Sequence, residues 1–365
     1  MSGQAKIPLQ SPAFPARRHL LKQTLALLAA GALPAVLPLE AWAQPPQGAG
    51  PTSGPAPALP AEPGAHIVLL GTRGGPGIDL NRSQTAVAVV VDGVPYLVDC
   101  GYGTVRQLVA SGVGFQRIDN IFLTHLHDDH TADLAALLNF QWTNGNKAKP
   151  TDVYGPYGTA KMVDAITAFA TPNAEIRTVD EGRKQRIDTQ FHGHDVNISP
   201  TKVAIYKDER VTVTGIQNAH YPDHSMARMQ HRSMAIRFDT KYRSIVFSGD
   251  TSYSSSIVEL AKGADYFLCE IMDETSHAQN VARAKAATEA GNPDNIYRHL
   301  AETHAPPSEV ARMATEAKVG TVVLYHLLPG AAKGGLAYPT STFIDDVHKG
   351  GFSGEVIVGQ DLMVL

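Results

Sequence analysis

Thr124–His130 reads THLHDDH, three histidines and two aspartates set directly behind the apolar run IDNIFL, Ile118–Leu123. The apolar run has the look of a buried strand, and a strand that ends in five ionisable side chains needs a reason. Imidazole and carboxylate are the usual ligands of zinc, iron and manganese. Side chains alternate along extended backbone, so His125 and His127 point to one side. Asp129 and His130 follow at a turn, ahead of the helical pattern TADLAALLNF, which carries Leu134, Leu137 and Leu138 on one face. Two donors from a strand end and two from a helix start suit a pair of adjacent metal ions, a spacing that a solvated polar loop has no need of.

Working outward, the chain alternates strands and helices. HIVLLGT, TAVAVVVDG, VPYLVDCG and IDNIFLTH read as successive strands, with the helical stretch TVRQLVASG before the last. TDVYGP then reads as a strand and GTAKMVDAITAFA as a helix, and residues 171–200 carry weak signals. The second half has the same style. KVAIYKD, RVTVTGIQNAH, SMAIRFDT and RSIVFSGD are strands, followed by the helix SSSIVELAKG, the strand DYFLCEI, the helix SEVARMATEAKVG and the strand TVVLYH. Two strand-rich halves with helices outside make an α/β protein. His220 ends VTVTGIQNAH, Asp250 ends SIVFSGD and His326 ends TVVLYH. Ligand sites in such sheets gather beyond the carboxyl ends of strands, and these three fall there as the opening motif does.

The amino-terminal part does not belong to that pattern. Residues 1–43 carry paired Arg17 and Arg18, an apolar stretch broken by Pro34 and Pro38, and AWA before Gln44. This reads as a twin-arginine export signal and places the protein in the bacterial periplasm; the apolar run is short for a membrane span. Residues 44–64 are rich in proline, glycine and alanine and read as a flexible linker, leaving 65–365 as the folded domain. Losing Lys6, Arg17, Arg18 and Lys22 against Glu40 takes the formal charge from −4 to about −7. A dedicated nucleic-acid binder should be basic, so the expectation is no nucleic-acid partner. No stable membrane insertion is expected either, and self-association into a homo-oligomer stays open. Cys100 and Cys269 read as two buried free thiols.

THLHDDH, NAHY, SGDT, THAPPSEVA and VLYHLLP together resemble the metallo-β-lactamase superfamily, and more narrowly its ribonuclease Z-like branch, which includes phosphodiesterases and zinc-dependent arylsulfatases. The resemblance implies a four-layer αβ/βα sandwich with a two-metal site at one edge. By position it gives His125, His127 and His220 to one metal and Asp129, His130 and His326 to the other, with Asp250 and a water bridging both. The ions it implies are divalent, zinc first, with manganese or iron as the other choices. It makes His304 the acid near the leaving group and lets Asp129 orient or deprotonate the water. Ser308 reads as the cap of the helix that follows. GTRGGPG (Gly71–Gly77) and NRS (Asn81–Ser83) resemble the loop that flanks the metals in such proteins.

Asp250 argues against β-lactamases proper, His127 against the diiron flavoproteins, which carry glutamate there, and THAPPSEVA against lactonases. Residues 150–210 contain nothing like the glycine-rich basic arm that ribonuclease Z uses for transfer RNA. Cys269 stands where such proteins often have histidine, which argues against a role for the Cys269–Glu270 pair in orienting His304. YPDHSMARMQHR after His220 looks like an insertion, with His224 and His231 as solvated loop residues. FHGHD (His192, His194, Asp195) imitates the main motif without its spacing and is not read as a metal site. The function these features imply is an exported binuclear metal hydrolase of small sulfate or phosphate esters, arylsulfatase-like first, acting through a water made acidic by two metals. The alternatives are a lactone or carboxylic ester hydrolase and a non-catalytic metal-binding protein that keeps the fold.

Overall fold

Two β-sheets lie face to face, and their inner strands feed side chains alternately into two different cores. In the computed structural model the described residues are 63–144, 149–221, 231–292, 295–328 and 340–365. The export signal, residues 44–62 of the linker, and His224 lie outside them. The first sheet has the order β1(Ala65–Gly71), β2(Ala86–Val91), β3(Val94–Val98), β4(Asn120–Phe122), β5(Thr151–Gly155), β6(Phe191–Asp195). Its first three strands are antiparallel and the rest join in parallel. The second has the order β13(Glu355–Val358), β12(Thr321–Leu328), β11(Tyr266–Met272), β10(Ser244–Phe247), β9(Met234–Thr240), β8(Val211–Gln217), β7(Val203–Lys207). Each half thus has an antiparallel meander leading into parallel strands, within the two strand-rich halves that the sequence implies.

The run AVAVVV of β2 shows why the strands read as continuous apolar stretches. Val87, Val89 and Val91 enter the core between the sheets, while Ala86, Ala88 and Val90 enter the core beneath the first layer of helices. In β12, Val323 and Tyr325 face the inter-sheet core, and Val322 and Leu324 face the helices of the second half. Strands buried on both faces have no polar face to alternate with. Each fully buried Val or Leu adds about 1.5–3 kcal/mol of hydrophobic stabilisation. Helices on both outer faces complete four layers: helix, sheet, sheet, helix.

Two departures from the sequence reading matter. The helix starting at Thr159 runs to Glu181, past Pro172, and ends on left-handed Gly182. Proline inside a helix removes one hydrogen bond and disfavours it, which is why the pattern fades at 171. Ala170 and Ala174 keep the buried face continuous across it, and packing prevails. The second departure is a pair of helices, Glu274–Glu289 and Asn295–Thr303, between β11 and His304. Among the described residues no helix is long and apolar enough to cross a membrane.

Candidate metal centre

Immediately after β4 the chain turns inward. The backbone N–H of Thr124 donates to Asp99 Oδ1 at 2.8 Å, and Thr124 Oγ1 donates to the same carboxylate. His127 caps a one-turn helix, Asp128–Thr131, in extended conformation. The turn leaves Asp128 exposed and buries Asp129 and His130 beside His125. His220 follows β8, Asp250 follows β10, and His326 lies within β12, two residues before its end, so three strands of the second half meet the motif of the first.

The seven side chains form two groups that share Asp250. His125, His127, His220 and Asp250 each offer one donor atom within 4.8 Å of the others, and so do Asp129, His130, Asp250 and His326. In the first group His127 Nδ1 lies 3.0 Å from His125 Nε2 and 3.1 Å from His220 Nε2. Asp250 Oδ2 lies 3.8 and 4.0 Å from those two Nε2 atoms. In the second group Asp250 Oδ1 is 3.1 Å from both His130 Nε2 and His326 Nε2, and Asp129 Oδ2 is 3.3 Å from His326 Nε2. The two oxygens of Asp250 therefore face different groups.

These contacts fit ions better than they fit one another. His130 Nε2 and Asp250 Oδ1 are both buried and, though 3.1 Å apart, neither has a hydrogen-bond partner among the described residues. Each is also within reach of the other donors of its group. Zinc bonds of about 2.1 Å in tetrahedral geometry set neighbouring donors about 3.4 Å apart, close to these separations. Two imidazole rings and a carboxylate beside a shared carboxylate are also a donor set that divalent ions favour. The residues present accordingly fit a pair of divalent ions, a reading that needs none of the exposed acidic side chains.

The neighbours orient the donors. His130 Nδ1 sits 2.8 Å from Asp99 Oδ2, which turns Nε2 inward; His220 Nδ1 lies 3.4 Å from the Thr303 carbonyl, with the same effect. A carboxylate or carbonyl behind a ligating histidine is the common device for fixing its tautomer. At His326 the register of β12 against β11 slips, so Tyr325 and His326 oppose Glu270 alone. His326 has φ 43°, a left-handed conformation that aims its ring into the site. The glycine loop closes this side. Gly75 N donates to Asp129 Oδ2 at 2.7 Å, and a Cβ on Gly74 would lie 2.5 Å from His326 Nδ1.

Charge follows the same division. Burial pulls His125 and His220 well below the usual histidine range, and neighbouring imidazoles deepen the effect at both. Burial opposes charge on His130 and His326 as well, yet Asp250 and the other carboxylates hold both well above it. Asp129 and Asp250 are also buried, but the surrounding histidines keep both carboxyl groups low.

His304 is 4% exposed, with its ring 5.2 Å from that of His220 and stacked 6.1 Å from that of His326. It thus abuts both groups without belonging to either. Its Nδ1 is 2.8 Å from Glu270 Oε2, while Glu270 Oε1 accepts from the backbone of Thr251. The expectation that the Cys269–Glu270 pair has no part in orienting His304 is therefore corrected. Cysteine replaces the histidine, but the glutamate itself supplies the contact. Ser308 is likewise not a cap: the helix Pro307–Ala317 begins after Pro306 with no side-chain capping bond.

Three residues of the site escaped the sequence reading. Asp99 is a strand-end aspartate in YLVDCG, the same signal as Asp250, but only its contact with His130 reveals its role. Glu270 carries no signal of its own in DYFLCEI, where cysteine precedes it. His299 sits in the unforeseen helix Asn295–Thr303, its ring 5.3 Å from His220 and 5.5 Å from His304. Burial and then His304 pull His299 down to about 4. His192 and His194 instead bind Asp152 on the neighbouring strand, at 3.4 and 2.7 Å, and join neither group. Cys100 and Cys269 are buried free thiols with no disulfide, and His231 is exposed.

A family model described as the beta-lactamase superfamily domain matches residues 95–327. Ribonuclease Z of Mycobacterium sp. (strain KMS) is 29% identical over 311 residues, covering 78% of this chain and 95% of that protein. Among solved structures, the metallo-beta-lactamase fold protein YhfI from Bacillus subtilis superposes with a TM-score of 0.56 at 18% identity, over 82% of this chain and 99% of that one. The short form of human tRNase Z does so with a TM-score of 0.55 at 22% identity, over 82% and 98%.

Proposed function

Since the chain belongs to the metallo-β-lactamase superfamily, in its ribonuclease Z-like branch, and is a hydrolase of that fold, we propose that it cleaves phosphate or sulfate esters, phosphodiesters first, at a centre of two zinc ions. The sequence alone placed sulfate esters ahead; relatives named for ribonuclease activity move the order toward phosphodiesters. What carries the reading is His304 beside the seam of the two donor groups, with its Nδ1 held by Glu270. A scaffold that merely stored metal would not need a histidine held ready outside both groups.

When bound, divalent ions supply Lewis acidity and a water of lowered pKa. The rest falls to side chains. Asp250 faces one group with each oxygen, and Asp129 is fixed by the Gly75 N–H on one side and His326 on the other. His304 keeps Nε2 free to donate a proton to the departing oxygen, and the Glu270 carboxylate favours the charged ring that donation requires, against the effect of burial. The glycine loop borders the His326 side of the centre, its Gly75 N–H spent on Asp129.

The expectation of no nucleic-acid partner rests on net charge, and ribonuclease Z relatives weigh against it, so RNA belongs among the substrates tried. Residues 150–210 fold into β5, the helix Thr159–Glu181, β6 and β7, which supports a small ester over transfer RNA. We extend the proposal to export through Arg17 and Arg18; lysine at both should leave full-length precursor in the cytoplasm, and a processed periplasmic product would sink it. One panel decides the chemistry: bis-nitrophenyl phosphate, nitrophenyl sulfate, nitrophenyl phosphate, a lactone and structured RNA, with metal analysis of the same preparation. Phosphodiester turnover by protein carrying two ions is the expected result. Lactone cleavage alone, or one ion that Asp250→Ala leaves unchanged, would refute it.

A further inference from the structure

The imidazoles around the centre outnumber the two donor groups. His220, His299 and His304 form a third set in which one nitrogen from each lies within 4.8 Å of the others. His220 already serves the first group, so His299 and His304 are the two available members. His304 Nδ1 is taken by Glu270, and His299 Nδ1 faces Thr303 Oγ1 at 3.3 Å. Among the described residues neither Nε2 has a hydrogen-bond partner. The rings stand 5.5 Å apart at 86°. A carboxylate behind one ring and a hydroxyl behind the other repeat the backing seen at His130 and His125. His299 is half-buried and so gives ions a way in from solvent, whereas His304 is closed off behind it.

We propose that His299 and His304 form a third, weaker site for a divalent cation, and that an ion there withholds His304 from the leaving group, so that excess metal inhibits the enzyme. The site itself stands on these two side chains; the inhibition rests in addition on the acid role argued for His304 above. Two protein nitrogens, with water completing the shell, give a weaker hold than three or four donors, so the third ion binds only once the pair is filled. The helix that brings His299 to this place thereby makes turnover sensitive to free metal.

The test starts from protein loaded with two zinc ions and adds Zn²⁺ under equilibrium dialysis, with turnover followed in parallel. Wild type should take up a third ion in the micromolar range. His299→Ala should stop at two ions and need about tenfold more Zn²⁺, or beyond, for the same inhibition. Inhibition should be deep for a phosphodiester with an alcohol leaving group and shallow for a nitrophenyl one, which departs without a proton. A wild-type protein that saturates at two ions, or a third ion that survives His299→Ala, would overturn the site. A third ion that depends on His299 but leaves both substrates equally affected would keep the site and overturn the acid role of His304.

Discussion

Replacing Gly74 by alanine should remove one metal and spare the other. The new Cβ would stand 2.5 Å from His326 Nδ1, 2.6 Å from Cε1 and 3.0 Å from Cγ, where ordinary contact begins near 3.4 Å. Something must move by about 0.9 Å. Gly74 N donates to Leu327 O at 3.1 Å and Gly75 N to Asp129 Oδ2 at 2.7 Å, so the loop cannot retreat without releasing Asp129. The ring is equally confined, with Nε2 3.1 Å from Asp250 and 3.3 Å from Asp129 in a fully buried setting. Whichever yields, the damage falls on the group of Asp129, His130, Asp250 and His326. Ligand bonds tolerate about 0.2 Å, so a shift several times larger should cost that position its tight ion. A misplacement of about 1 Å is also worth about 10² in turnover. Metal content after dialysis, turnover, and thermal unfolding should be measured together, with Gly93→Ala as a control. Gly93 has φ 78° and open space around it, so that variant should lose only stability. Two tight ions and near-normal turnover in Gly74→Ala would refute the reasoning.

His304→Ala should keep both ions and lose about 10²–10⁴ in turnover; the loss should shrink for nitrophenyl leaving groups, and an equal loss across all of them would make His304 a substrate clamp. Asp99→Asn should lower affinity for the second ion about 10–100-fold by freeing the His130 ring, as read by competition with a chelator; unchanged affinity would show that Thr124 alone suffices. Asp208 offers a test in acid. Burial opposes its charge, but the Tyr96 hydroxyl at 2.5 Å, two backbone N–H groups and Tyr206 hold its carboxyl below the ordinary 3.8. A depressed carboxyl adds stability above the unfolded value and loses it as pH falls through the folded one. Tyr96→Phe should therefore cost about 1–2 kcal/mol at neutral pH and less near pH 3, by urea unfolding; a constant difference would place the effect in packing instead.

Much of this protein is legible along the chain because its causes are local. Apolar runs such as AVAVVV declare doubly buried strands, and ligands at strand ends declare where a site must gather, because alternation and chain direction are properties of a few neighbouring residues. The resemblance of four short motifs then gives the seven donors by position, and a fifth gives His304. What stayed hidden depends on contacts between distant segments. That His326 turns inward depends on a bulge against β11 and a loop from residue 74, neither visible in TVVLYH. Asp99 acquires its part only when His130, 31 positions on, swings over it, and Glu270 only when His304, 34 positions on, does the same. Pro172 marks a break to any local reading, yet the helix continues past it with its buried face on the core. His299 looks like one polar residue on an amphipathic helix until that helix packs beside the centre. Local chemistry chooses the elements; only packing across the two halves decides which nitrogen faces which carboxylate.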